Sequence, residues 1–284
     1  MGKIVWVASY PKSGNTWMRA FIEHLVSRSA DIDLNELQHA GYMASSRRLF
    51  DRFSGIRASD LTRAEIDELR PEVYRALSRH CSEPVFVKSH DAFEPLLFPP
   101  DVSLGAIYLL RNPLDVAVSY AHHVSSSPDF DAVIERLCSP RNAIATRGNR
   151  LGRQLTVRTG DWSGHVRSWT GDVGFPAVTL RYEDLLMDPA ESFSTVARLV
   201  APDADRVSIR QAIERSSFGR LREFERTHGF RERGNKSLAF FRAGRAGAWK
   251  DHLSSRQVER LIRAHEPTMR AFAYLGADDV PAVG

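Results

Sequence analysis

Lys12 stands in the stretch Tyr10-Pro11-Lys12-Ser13-Gly14-Asn15-Thr16-Trp17, where an apolar run gives way to helical spacing. The first amides of a helix have no partners of their own, the helix dipole turns its positive end to the loop, and a lysine adds a full charge. Such a loop holds a phosphate or a sulfate. Lys88 and His90 end a second apolar run, Pro84-Val85-Phe86-Val87-Lys88-Ser89-His90. Two residues apart, they face the same side if the extension continues, which sets a cation beside a group that can take a proton near neutral pH. A lone histidine at a strand end is more often a structural hydrogen bonder, and the paired lysine favours the chemical reading. Arg111 leaves a third apolar run, Gly105 to Leu110, and Ser119 follows about two helical turns later. Taken alone, Arg111 could simply pair with Asp115, and Ser119 could be a small packing residue. Arg242 lies in a basic loop with Gly244 and Gly247, which suits either a backbone wrapped around a phosphate or a flexible surface loop.

The elements that must position these residues are strands that stop at loops. Ile4 to Ala8 is short and β-rich, and breakers follow from Ser9 to Gly14. From Asn15, the spacing of Trp17, Phe21 and Leu25 beside Met18 and Ile22 predicts a helix. Asn112 as cap, Pro113 at the first helical position and Asp115 in the first turn predict another. Trp162, His165, Val166 and Trp169 form one helical stripe, read as core, and Ala177 to Tyr182 is a fourth strand. Asp188-Pro189 opens a helix with Phe193, Val196, Ala197 and Val200 on one face, Ile209 to Arg215 a shorter one, and Ser255 to Ala273 the last. Alternating strands and helices predict an α/β fold, with a central, mostly parallel sheet flanked by helices and ligand loops at the carboxyl ends of the strands.

The loop around Lys12 does not fit the G-x-x-x-x-G-K-[ST] pattern of nucleoside triphosphatases, because its only glycine, Gly14, follows the lysine. It resembles instead the 5′-phosphosulfate loop of the sulfotransferase family, which uses 3′-phosphoadenosine 5′-phosphosulfate (PAPS). The Lys-Ser-His at Lys88 to His90 is similar to the family's Lys-Thr-His, and Arg111 to Ser119 resembles its 3′-phosphate signature. The resemblance, from Ile4 to Lys250, implies a P-loop-kinase-like fold and a reaction moving SO3 to an acceptor hydroxyl, leaving adenosine 3′,5′-bisphosphate (PAP). It implies that Lys12, Ser13, Gly14, Asn15 and Thr16 hold the 5′-phosphosulfate, Trp17 stacks on the adenine, Lys88 supports the sulfuryl oxygens and His90 is the base. His122 and His123 are reserve candidates for that base. Arg111, Ser119 and Arg242 fall to the 3′-phosphate, Tyr182, Ser217 and Phe218 to the adenine, and Gly244 to the loop around the nucleotide. The family's Arg-Lys-Gly-x-x-Gly-Asp-Trp reads Arg242-Ala243-Gly244-Arg245-Ala246-Gly247-Ala248-Trp249 here, so its lysine contact is lost unless Arg245 replaces it.

Composition bounds the rest. With 284 residues and no Pro/Gly/Ser-rich linker or repeat, a single domain over 1–284 is expected. A net charge of +4 suits an anionic ligand but not nucleic-acid coating. Two cysteines, Cys81 and Cys138, offer neither a disulfide framework nor metal spacing. No run approaches eighteen apolar residues, and the chain enters a strand at once, so neither membrane anchor nor secretion is expected, and the location expected is cytoplasmic. No metal constellation is visible. A small-molecule hydroxyl acceptor is implied, by analogy with bacterial enzymes that tailor secondary metabolites, and a monomer or a homodimer is equally compatible.

Segments 31–58 and 125–160 are poorly patterned and are read as acceptor-side structure, the second as a lid or mobile loop holding a short helix at Phe130 to Leu137. Between Leu61 and His80 a capping box, Thr62 with Glu65, opens a helix, and Pro71 allows either two short helices or a first-turn proline. Two other functional classes share the anion logic. A Mg-dependent small-molecule kinase would lose activity to a chelator, and a non-catalytic nucleotide-binding module would bind PAP without transfer.

Overall fold

Ile4–Ser9 (β1) is closed to solvent along its whole length, and strand alternation sends its side chains into two different cores. Ile4, Trp6 and Ala8 pack with Tyr74, Leu77, Trp162, Val166 and Trp169, whereas Val5 and Val7 pack with Met18, Phe21, Ile22, Phe193 and Val196. A strand covered on both faces has no polar alternation to show. The computed structural model describes residues 2–146, 152–276 and 281.

The remaining strands are β2 (Tyr42–Met43), β3 (Val85–Ser89), β4 (Ser103–Leu110), β5 (Ala143–Ile144), β6 (Val157–Arg158) and β7 (Ala177–Arg181). The helices are α1 (Asn15–Ser27), α2 (Arg47–Ser54), α3 (Arg63–His80), α4 (Pro113–Val124), α5 (Phe130–Leu137) and α6 (Trp162–Thr170), then α7 (Tyr182–Met187), α8 (Pro189–Val200), α9 (Arg206–Arg215), α10 (Phe218–His228) and α11 (Ser255–Ala271). Five strands form one sheet in the order β2-β3-β1-β4-β7, and every neighbouring pair is parallel. All five carboxyl ends therefore open onto one edge, where an α/β sheet builds its ligand site.

Pro71 lies inside α3, which runs unbroken from Arg63 to His80, so neither alternative drawn from the sequence holds. The capping box between Thr62 and Glu65 fixes the start, and the buried face of Arg70, Val73, Tyr74 and Leu77 holds the helix together past the one amide that proline removes. Segment 31–58 is more regular than its pattern suggested. It holds β2 and α2, the latter capped by Ser46 accepting from the Leu49 amide and closed by Gly55 at φ 73°. In segment 125–160, α5 lies where expected, β5 and β6 pair antiparallel, and residues 147–151 lie outside the described ones. Helix α10 had no counterpart in the reading by periodicity, because only Leu221 and Glu225 of its face are buried.

Candidate functional site

Five strand ends converge on a cavity of about 1560 Å³ lined from the Lys12 loop, α1, β3, α4, α7, α10 and the loop through Arg242. The loop between β1 and α1 turns through two left-handed residues, Lys12 at φ 73° and Gly14 at φ 100°. A Cβ on Gly14 would lie 2.9 Å from the Tyr182 ring, so glycine is required both for the backbone and for the close approach of Tyr182. Asn15 locks the turn by donating through Nδ2 to Val7 O at 2.8 Å and Ser9 Oγ at 3.2 Å. Burial, then the positive charges of Lys88 and Arg111, push the Lys12 ammonium down to about 7.

Arg111 is fixed by backbone: Nη1 donates to Lys12 O and Nη2 to Arg245 O, both at 3.1 Å, and its guanidinium lies 4.2 Å from the Tyr182 ring centre. It does not pair with Asp115, whose carboxylate accepts the Gly247 and Trp249 amides at 2.7 and 3.0 Å. Arg242 stands near enough that burial, and next the charge of Arg111, push its pKa down. Gly244, at φ 61°, approaches Phe218 so closely that a Cβ would lie 2.4 Å from the ring. At this end of the cavity Lys12, Arg111 and Arg242 form no ion pair among the described residues, and Arg111 Nε and Trp17 Nε1 are buried with no partner. Cations gathered without carboxylates, beside free amides, make an anion site.

His90 and Lys88 occupy the centre. The His90 Nδ1 lies 2.8 Å from Ser9 O and 3.2 Å from Ser9 Oγ. A carbonyl only accepts, so Nδ1 carries the ring proton and Nε2 keeps its lone pair. Burial, then Lys88, push the His90 pKa down to about 3, so the ring is neutral across the physiological range. Lys88 Nζ donates to Glu232 Oε2 at 2.6 Å, and Glu232 Oε1 accepts from Arg19 Nη1 at 2.6 Å. Burial pushes the Glu232 carboxyl up, but Lys88 and Arg19 outweigh it and hold it well below the usual carboxylate range. Behind His90, Asp91 and Arg70 form a buried pair at 2.6 Å.

The family model for the sulfotransferase domain matches residues 3–273. The chain belongs to the sulfotransferase domain family. Cytosolic sulfotransferase 10 of Arabidopsis thaliana is 24% identical over 270 residues, covering 90% of this chain and 74% of that protein. Human sulfotransferase 1E1 is 25% identical over 282 residues, covering 93% and 83%. Among solved structures, retinol dehydratase in a complex with retinol and PAP superposes with a TM-score of 0.62 at 20% identity, over 94% of this chain and 81% of that one. Mouse sulfotransferase SULT7A1 complexed with PAP gives 0.60 at 18%, over 95% and 84%. These structures share this chain's fold: the parallel sheet flanked by helices that the alternation of strands and helices predicted, in the sulfotransferase form that the resemblance implied.

The sulfotransferase cavity is lined by Lys12, Gly14, Asn15, Thr16, Trp17, Lys88, His90, Arg111, Ser119, Tyr182, Ser217, Phe218, Arg242 and Gly244 together. Ser13 is not among the lining residues; it is fully buried, and its Oγ has no partner. Tyr182 opens α7 rather than ending β7, and that turns its ring back onto Gly14 and Trp17, the latter at 5.8 Å edge to face. Arg245 pairs its guanidinium with Asp251 and is not on the lining. His123 lines the cavity, its pKa driven to about 3 by burial and by Lys12, whereas His122 packs against Phe130 and His252. His165 is held by Tyr108 Oη at 2.9 Å, as a structural residue would be. Among the described residues, no group of three or more His, Cys, Asp or Glu is placed to hold a metal, and no helix is long and apolar enough to cross a membrane. The residue that motif reading missed is Glu232, whose partner Lys88 is 144 positions away and whose neighbours carry no signal.

Proposed function

We propose that this protein transfers the sulfuryl group of PAPS to a hydroxyl of a small-molecule acceptor, with His90 as general base. The observation that carries it is that Lys12, Arg111 and His90, from three different strand ends, line one cavity. Cations without counter-ions suit the two anionic ends of a bisphosphorylated nucleotide, and the relatives named above are described with PAP or as cytosolic sulfotransferases. A cytoplasmic location goes with that reading.

The donor supplies an activated S–O bond. Lys12 and the loop amides, with Thr16, take the 5′-phosphosulfate, and Arg111, Ser119 and Arg242 take the 3′-phosphate through charge-assisted hydrogen bonds. Trp17, Tyr182 and Phe218 offer faces and edges to the adenine. His90 Nε2 accepts the acceptor's proton as the acceptor oxygen bonds to sulfur. The bond from sulfur to the 5′-phosphate oxygen breaks, and PAP leaves with that electron pair. Lys88 meets the charge on the sulfuryl oxygens. Catalysis is mainly alignment and fixed positive charge. Burial is the main cause of the lowered His90 pKa, and seating an anion beside Lys88 offsets the second, the charge of Lys88, which moves the pKa upward.

His90→Ala tests the assignment. It is expected to fold and to bind PAP with wild-type affinity while turnover falls by about a hundredfold or more. Turnover near wild type would remove His90 from the base role. Loss of PAP binding on Lys12→Ala tests the loop, and an unchanged PAP affinity would displace the phosphosulfate from it.

A further inference from the structure

The sheet order sorts the cations of the cavity. Lys12, Arg111 and Arg242 lie with the strand ends of β1 and β4, Arg19 and Lys88 share Glu232, and Arg231 pairs with Glu36 at 3.0 Å. Besides Arg111 and Arg242, four lining guanidinium groups have no carboxylate partner among the described residues: Arg47, Arg48, Arg52 and Arg153. They share one wall. β2 lies beyond β3, with Met43 in register with Lys88 and the Ala44 amide bonded to Lys88 O, so the chain that enters α2 starts at Lys88 and lies on the side away from β4 and β7. Residues 153–155 lie antiparallel to it, through Arg47 N to Arg153 O at 3.1 Å and Leu155 N to Ser45 O at 2.7 Å. Arg47 Nε is held by Gly152 O at 2.8 Å, and its Nη1 is shielded with no partner. Arg52 Nη2 lies 3.2 Å from the His80 ring, and its guanidinium lies 5.2 Å from the Phe53 ring centre. Among the described residues of this wall the acid is Asp51, whose Oδ1 is taken by the Ala58 amide at 2.8 Å.

We propose that the acceptor is an anion, a hydroxyl-bearing small molecule whose carboxylate or sulfonate-type oxyanion lies against Arg47, Arg48 and Arg153 while its hydroxyl reaches His90. Guanidinium groups crowded on one wall repel one another and draw in a planar or tetrahedral oxyanion. They also offset the repulsion between a negative acceptor and the negative donor. Met43, in register with Lys88, and Ile144 add apolar side chains to the lining, suited to an apolar span between hydroxyl and oxyanion.

The proposal rests on the sulfotransferase reading, and PAP binding measured on the same preparation keeps the two apart. The probes are ω-(4-hydroxyphenyl)alkanoates and alkylsulfonates of increasing chain length, each matched with its amide and amine, with labelled PAPS. The best acid is expected to exceed its amide in kcat/KM by about tenfold or more. Arg48→Glu and Arg153→Glu, both exposed and so safe for folding, are each expected to cut the acid-to-amide ratio by about tenfold. Calorimetry of the same probes on PAP-loaded protein gives the preference even where turnover is undetectable. Acid and amine bound alike, the amine preferred, or neither bound overturns the proposal, and absence of PAP binding overturns the donor reading instead.

Discussion

Lys88 Nζ lies 2.6 Å from Glu232 Oε2, and the same carboxylate reaches Arg19 at 2.6 Å. A carboxylate therefore sits at the centre of the site, between two cations. Burial pushes the Lys88 pKa down, and Glu232 is the largest effect opposing it, so Glu232 keeps Lys88 charged and aimed while costing the site some attraction for anions.

Glu232→Gln should separate those two effects. PAP affinity is expected to stay level or tighten, because one negative charge leaves the cavity, while kcat falls by about tenfold as Lys88 loses its charged anchor. The charged form of Lys88 is lost as pH rises, so the alkaline limb of the rate profile should move to lower pH in the variant. Parallel losses in PAP affinity and kcat, with an unmoved profile, would reduce Glu232 to a structural residue.

Lys12 carries a pH dependence of its own. Its ammonium, pushed down to about 7 by burial first and then by Lys88 and Arg111, is charged below that pH and loses its charge as pH rises through it. An anion in the loop favours the charged form. PAP binding above about pH 8 should therefore take up a proton that binding below about pH 6 does not, read by calorimetry in buffers of different ionisation enthalpy. Lys12→Arg should abolish the uptake, and equal proton uptake at both pH values in the wild type would show that Lys12 is not the group that titrates.

The pair behind the base is a matter of stability. Arg70 and Asp91 side chains are each 2% exposed and lie 2.6 Å apart, and Asp91 also accepts the Arg158 amide at 3.0 Å. Asp91→Ala leaves a buried guanidinium with only the more distant Asp67, at 3.9 Å, as counter-charge, and is expected to cost about 3–5 kcal/mol in denaturant unfolding. The double variant Arg70→Met with Asp91→Leu should recover most of that loss, because the isolated charge goes with it. A single-variant loss below about 1 kcal/mol, or no recovery in the double, would show the pair to be solvated rather than buried.

The sequence by itself determined the frame and the turn ahead of the first helix. Ile4 to Ser9 shows a strand covered on both faces, Asn112-Pro113 a helix start, and the Lys12 loop a turn into a helix N-terminus, because each is written in neighbours a few residues apart and obeys a local period or capping rule. The tertiary structure alone decided which side chains answer one another. Spacing could not tell that Asp115 takes the Gly247 and Trp249 amides instead of Arg111, that Arg245 turns to Asp251, or that Glu232 reaches Lys88. It could not carry α3 through Pro71 either, since a buried face held by partners in β1 outweighs a single lost amide bond. The pairings of Asp115 and Glu232 span over a hundred residues and leave no periodicity in the chain, and the energy that selects them comes from burial that only the packed fold supplies.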